Sequence, residues 1–265
     1  MAKPLTILCV GDLFGEPGRR AAETLVPKLR KQYEVDLAIV NVENAAAGYG
    51  VTPQIARSML EHGADVMTTG NHIWDRKEII EYIVKDNLLL RPANFPAGTP
   101  GAGSVVVKVG PHKVGVLNLM GRVFFPQQLD CPFRKADEEI ARLRQETPII
   151  VVDAHCEATS ESQALGWYLD GQVSAVVGTH RHTQTADERV LPKGTAFITD
   201  LGMTGPVNSV IGVDPELAIA RFLTQMPTRF EPAKGPAALH GAVIRVDPDT
   251  GKALGIERLR VPAPA

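Results

Sequence analysis

Five short apolar runs in this chain each end in residues that can hold a cation, and that repetition constrains the fold more than any other feature. Gly11-Asp12 follows the run 5–10, and Glu43-Asn44 follows 37–42. Gly70-Asn71-His72 follows 66–69, Asp153-Ala154-His155 closes 148–153, and Gly178-Thr179-His180-Arg181-His182 follows 173–177. Apolar runs of this length bounded by turn residues read as buried strands. Residues 17–32, 52–62, 76–85, 136–146 and 160–168 lie between them with apolar positions three and four apart, the helical spacing. Strand and helix alternating through the first ninety residues predict an α/β fold with a largely parallel start. The chemistry-bearing side chains then gather at one rim of strand ends.

Further strand-like runs fall at 104–109, 113–119, 196–200 and 241–247. Residues 88–104 carry Pro92, Pro96 and Pro100 with Gly98, Gly101 and Gly103, and read as a long surface loop rather than a domain linker. Because candidate ligands stand on both sides of that loop, one domain over 1–265 is expected to hold the whole site. Residues 244–259 read as a hairpin turning at Asp247-Pro248-Asp249-Thr250-Gly251.

Bulk properties remove several classes. The 265 residues are 44% hydrophobic and 22% charged, which argues against extensive disorder. Net charge is -2, with no basic run beyond Arg19-Arg20 and Arg30-Lys31, so broad capture of long nucleic acid is not indicated, while a small anionic substrate is allowed. Cys9, Cys131 and Cys156 are too few and too scattered for a disulfide framework. With no signal-like start and no apolar run near the length of a membrane span, the expectation is a cytoplasmic protein without a membrane partner.

Each motif has an ordinary reading beside the chemical one. Asp12, at a strand end before a helix, can ligate a cation through oxygen or serve as a cap or turn residue. Glu43 can bridge two cations while Asn44 adds a neutral oxygen, or the pair can be strand-end turn chemistry. Asn71 offers an amide oxygen, and His72 beside it can stand over a substrate as proton donor or be a turn histidine. Asp75 reads as the cap of a helix from Arg76, or as a partner that orients His72. His180 and His182, two apart on an extended segment, would face the same side. Chance pairing of two of the seven histidines is common; four of the seven at strand ends together with Asp12, Glu43 and Asn71 is not. His62, His112 and His240 lack such context. Asp153 is left outside the site, since it does not bond to His155 by spacing alone. Two cations ~4 Å apart would acidify a bridging water and clamp both oxygens of an in-line phosphoryl displacement. There is no Gly-x-Ser-x-Gly elbow, no Walker loop and no zinc-finger spacing.

The order Gly11-Asp12, an acidic residue, Gly-Asn-His, a lone His, then Gly-x-His-x-His resembles the calcineurin-like metallophosphoesterase superfamily. The usual first motif, Asp-x-His, is replaced by Asp12-Leu13-Phe14, and the bridging carboxylate by Glu43. With Asn41-Val42-Glu43-Asn44 and the run Thr199 to Pro206, the chain resembles the YmdB-type branch over nearly its whole length. That resemblance implies a four-layer αββα sandwich of metallophosphoesterase type. It implies one metal on Asp12, Glu43, Asn44 and His182, and a second on Glu43, Asn71, His155 and His180. His72 is the implied proton donor. It also implies two divalent or mixed-valence ions, iron or manganese first and zinc not excluded. The implied activity is hydrolysis of phosphodiesters, including 2',3'-cyclic nucleotides, by a metal-bridging hydroxide. Arg181, Thr204 and Gly205 are candidates for substrate contact. A phosphomonoesterase or protein phosphatase on the same scaffold, or a regulatory metal-centred binding protein, stays open, as do RNA ends as substrates and a homo-oligomeric state.

Overall fold

The computed structural model describes residues 3–264. In chain order the elements are β1 (Leu5–Val10), α1 (Gly15–Gln32), β2 (Leu37–Asn41), α2 (Pro53–Glu61), β3 (Val66–Thr68), α3 (Ile79–Ile83), β4 (Ser104–Val109), β5 (His112–Met120) and α4 (Pro132–Leu143). They continue with β6 (Ile150–His155), α5 (Thr159–Leu169), β7 (Ala175–Thr179), β8 (Arg189–Val190), β9 (Ala196–Ile198), β10 (Gly205–Pro206), α6 (Pro215–Thr224), β11 (Ala237–Val246) and β12 (Ala253–Pro262).

Two six-stranded mixed sheets result. One runs β10-β11-β1-β2-β3, with β12 also paired to β11; the other runs β4-β5-β6-β7-β9-β8. The parallel pairs are β1 with β2, β2 with β3, β5 with β6, β6 with β7, and β7 with β9. The hairpin expected at 244–259 is the β11–β12 pair.

Side-chain alternation builds the layers. In β1, Leu5, Ile7 and Cys9 point between the sheets, where they meet Val114 and Val116 of β5, Val151 of β6 and Val177 of β7. Leu8 and Val10 point the other way, onto Ala22, Leu25, Val26 and Leu29 of α1. The second sheet repeats the scheme: Ile150, Val152 and Ala154 pack on Ile140 and Leu143 of α4 and on Leu165 and Leu169 of α5. A period of two with both faces apolar is what a strand buried on both sides requires. Each fully buried Leu, Ile or Val contributes about 1.5–3 kcal/mol. The order is therefore helices, sheet, sheet, helices: the expected αββα sandwich.

The polar rim follows from this topology. Ligands in doubly covered α/β sheets sit beyond the carboxyl ends of the strands, where loops leave the sheet. Register brings those ends level: Asn41 lies opposite Thr68, and His155 lies between Met120 and Thr179. No helix among the described residues is long and apolar enough to cross a membrane.

Candidate functional site

Asp12, Glu43 and Asn71 leave the ends of β1, β2 and β3 in one sheet. His155 ends β6, and His180 follows β7 in the other. Glu43, His155 and His180 each offer a ligand atom, all within 4.8 Å of one another. His155 Nε2 lies 3.0 Å from Glu43 Oε1 and 3.0 Å from Asn71 Oδ1. His180 Nδ1 lies 4.0 Å from Glu43 Oε1. On the other flank, Asp12 Oδ2 accepts from the His180 backbone N–H at 3.1 Å, and His182 Nε2 is 3.3 Å from Asn44 Oδ1. The seven residues thus gather in two linked groups.

Two of these oxygens have no hydrogen-bond donor. Asp12 Oδ1 and Glu43 Oε1 are buried and unpartnered, and the His155 ring is near Glu43 Oε1 without the alignment of a hydrogen bond. Asp12 and Glu43 are both 0% exposed. Burial and the Glu43 carboxylate push the Asp12 carboxyl well above its usual range. Burial pushes Glu43 up as well, but His155, His180 and His72 outweigh it and hold this carboxyl well below the usual range. Burial pushes His155 down, while Glu43 and Glu157 carry His180 up against its own burial. Desolvation lowers His182 to about 4. Two orphaned, buried carboxylate oxygens, with imidazole nitrogens close to the one on Glu43, are what a bound cation would reconcile, so the donor set fits metal ions. The donors are oxygen and nitrogen. Burial pushes the Cys9 and Cys156 thiols up, so neither serves as a thiolate.

Two glycines make room for this cluster. A Cβ on Gly70 would stand 2.2 Å from His155 Nε2 and 2.4 Å from Glu43 Oε2. A Cβ on Gly178 would stand 1.8 Å from the Thr199 carbonyl oxygen, across the turn that delivers His180.

Beneath the cluster, Asp153 takes hydrogen bonds from both sheets. Asn41 Nδ2 and Thr68 Oγ1 donate to its Oδ2, and Thr179 Oγ1 donates to its Oδ1 at 2.6 Å. Having given its proton to Asp153, the Thr179 hydroxyl accepts from His155 Nδ1–H at 2.9 Å. That fixes the His155 tautomer and turns the Nε2 lone pair into the cluster. The sequence reading leaves Asp153 aside because residues two apart on a strand do not bond directly. The link runs through Thr179 on the neighbouring strand, and the parallel register His155–Thr179 creates it. Glu157, also missed, bonds His180 Nε2 at 2.7 Å, and the Ile211 carbonyl accepts from His182 Nδ1 at 2.8 Å. Phe125 covers the histidines, its ring centroid 4.7 Å from that of His180 and 6.1 Å from that of His155.

Other expectations are corrected. His180 and His182 are not on an extended segment: their φ angles are 106° and 62°, a strained path that turns the rings to different partners. Asp75 caps no helix, since α3 begins only at Ile79 with Glu78 before it. Residues ahead of α3 are drawn back toward the site by Arg76, which donates to the carbonyls of Ala46 and Tyr49. Asp75 instead meets His72 Nδ1 at 2.8 Å, and the Tyr49 ring stands edge-on to the same imidazole. Arg181 is committed to Asp200 and to the Thr199 carbonyl. Thr204 and Gly205 are buried and offer a substrate no surface. Thr204 braces the Asp12 loop: its N–H donates to Asp12 O, and its carbonyl accepts from Phe14 N–H.

Comparison with known proteins places this geometry. The chain is 52% identical over 257 residues, 97% of either chain, to a 2',3'-cyclic-nucleotide 2'-phosphodiesterase of Bacillus subtilis (strain 168). A solved structure of a novel phosphatase from Mycoplasma pneumoniae superposes with a TM-score of 0.93 at 35% identity, covering 99% of this chain and 95% of that one. A 5'-nucleotidase structure from Staphylococcus aureus, at 16% identity and a TM-score of 0.62, shares the fold over 99% of this chain and 55% of its own. The family model described as YmdB-like protein matches residues 8–259, and the chain belongs to that family.

Proposed function

We propose that this chain is a metal-dependent hydrolase of small phosphodiesters, with 2',3'-cyclic nucleotides as its first candidates. The observation that carries the reading is the pair of buried, unpartnered carboxylate oxygens on Asp12 and Glu43 at the strand ends, with the Glu43 oxygen set against His155 and His180. The 52% identity to a phosphodiesterase supports the choice of ester. Asp12, Glu43, Asn44 and His182 would hold one ion, and Glu43, Asn71, His155 and His180 a second, with iron or manganese suited to these donors. Bound there, such ions supply Lewis-acid stabilisation of phosphoryl oxygens and lower the pKa of a water.

The chain's own residues do the rest. Glu43 lends negative charge from a dry recess, where it acts at low dielectric. His155, held by Thr179, keeps Nε2 unprotonated and aimed inward, while Glu157 and the Ile211 carbonyl set the other two rings. His72 stands at the edge, its backbone N–H 3.4 Å from Glu43 Oε2. Asp75 accepts from Nδ1–H and fixes the ring, which leaves Nε2 as the atom that would deliver a proton to the leaving oxygen as the P–O bond breaks. Phe125 keeps solvent off the histidines.

The likeness to a structure named as a phosphatase favours one rival, a monoesterase. Metal-loaded protein should hydrolyse bis-p-nitrophenyl phosphate and 2',3'-cyclic AMP well ahead of p-nitrophenyl phosphate and 3',5'-cyclic AMP. Preference for the monoester would replace this reading with the rival.

A further inference from the structure

The loop after β5, Gly121 to Asp130, holds an aromatic side chain that the proposed chemistry does not use. Phe124 is 83% exposed, more than any other large hydrophobic among the described residues. Its φ is 66°, in the left-handed region that an L-aromatic residue enters only under strain. The neighbouring residue, Phe125, lies against His180 and His155, which anchors the backbone of Phe124 beside the cluster. No other aromatic ring or cation among the described residues packs on it.

The conformation is held from below. Glu161, only 8% exposed, accepts from the backbone N–H of Arg122 at 3.0 Å and from that of Val123 at 3.0 Å. Gly121 N–H donates to the carbonyl of His155, tying the loop's start to the site. Pro126 restricts Phe125 from the other side. A buried carboxylate and a proline thus present an exposed ring in a strained backbone at a fixed place beside the cluster. An aromatic face so presented binds another flat ring by stacking, with little ordering left to do.

We propose that Phe124 is the platform on which the nucleobase of the substrate stacks, one sugar ring away from the phosphorus. The inference rests on the phosphodiesterase reading and deepens it, making the substrate class a nucleoside rather than a bare sugar ester. Stacking tolerates any base but favours larger rings, so purine 2',3'-cyclic nucleotides should be preferred over pyrimidine ones.

The test compares 2',3'-cyclic AMP, 2',3'-cyclic UMP and ribose 2',3'-cyclic phosphate, which has no base, on wild-type, Phe124→Ala and Phe124→Trp enzymes loaded with metal. The expected result is a wild-type preference in kcat/KM for nucleotide over base-free ester that falls roughly 10-fold in Phe124→Ala, carried in KM, and returns in Phe124→Trp. Equal turnover of nucleotide and base-free ester by the wild type, or an unchanged ratio in Phe124→Ala, would overturn the platform and leave the phosphodiesterase reading standing. Calorimetric binding of 2'-AMP and 3'-AMP separates the two ideas. Binding weakened by Phe124→Ala in a protein that hydrolyses none of the diesters would support the platform while removing the activity. Binding indifferent to Phe124 would overturn the platform.

Discussion

Thr179→Val is the sharpest probe of how the site is held. Valine keeps the shape of threonine but neither donates to Asp153 Oδ1 nor accepts from His155 Nδ1, bonds of 2.6 and 2.9 Å. Asp153 is 3% exposed, and His155 and Thr179 are 0% exposed, so water cannot replace what is lost. Each buried polar group left unpaired costs about 1–3 kcal/mol. Asp153 keeps Thr68 and Asn41 on its other oxygen. The metal-free protein should therefore lose roughly 2–5 kcal/mol, a large share of the ~5–15 kcal/mol a domain commonly has. Freed of Thr179, His155 samples the other tautomer and other ring angles, and metal affinity should fall about 10–100-fold. Urea denaturation of the metal-free protein and competition against a chelator measure the two effects. Thr179→Ser, which keeps the hydroxyl, should recover most of both. If Thr179→Val binds metal within about twofold of wild type, the relay does not position His155.

Three further outcomes follow from the same geometry. Asp12→Asn relieves a buried carboxylate crowded by Glu43, Asp200 and Asp153, so it should stabilise the metal-free protein by about 0.5–2 kcal/mol while abolishing turnover; destabilisation would show that the crowding is not felt. Gly70→Ala drives a methyl group into His155 and Glu43, and should cost metal binding far more than it changes the circular dichroism spectrum. His182, lowered from an ordinary 6.5 to about 4, is neutral when folded and takes up a proton on unfolding. Its contribution is whole above 6.5, shrinks as pH falls from there to about 4, and is lost below; urea midpoints of the metal-free protein should show that slope, shallower in His182→Gln.

What was legible in the sequence was the strand-end pattern. Runs such as 5–10 and 37–42 are apolar on both faces because each strand is covered on both sides, and the residues closing them fall at the rim for the same reason. What was not legible depends on register and on turns. Thr179 reads as one more strand residue until the parallel pairing sets it beside His155. Glu157 and Phe125 reach the site from loops whose course no periodicity encodes. The helix read at 76–85 shrank to α3 because Arg76 and Asp75 are drawn toward the site. No core stripe marks α6 in the sequence, because its apolar residues Ile219, Phe222 and Leu223 face solvent. Its signals were Asp214, which caps the N–H groups of Glu216 and Leu217, and Pro215 at the first helical position.

Metal analysis of anaerobically purified wild-type protein and of Glu43→Gln, with turnover of 2',3'-cyclic AMP followed on the same samples, tests the central claim most directly. Wild type should carry about two ions per chain, as a paired metal site requires. Glu43→Gln should lose both ions and activity together. Full turnover by protein stripped of metal, or undiminished metal content in Glu43→Gln, would contradict the claim that these strand ends form one cation-holding hydrolytic centre.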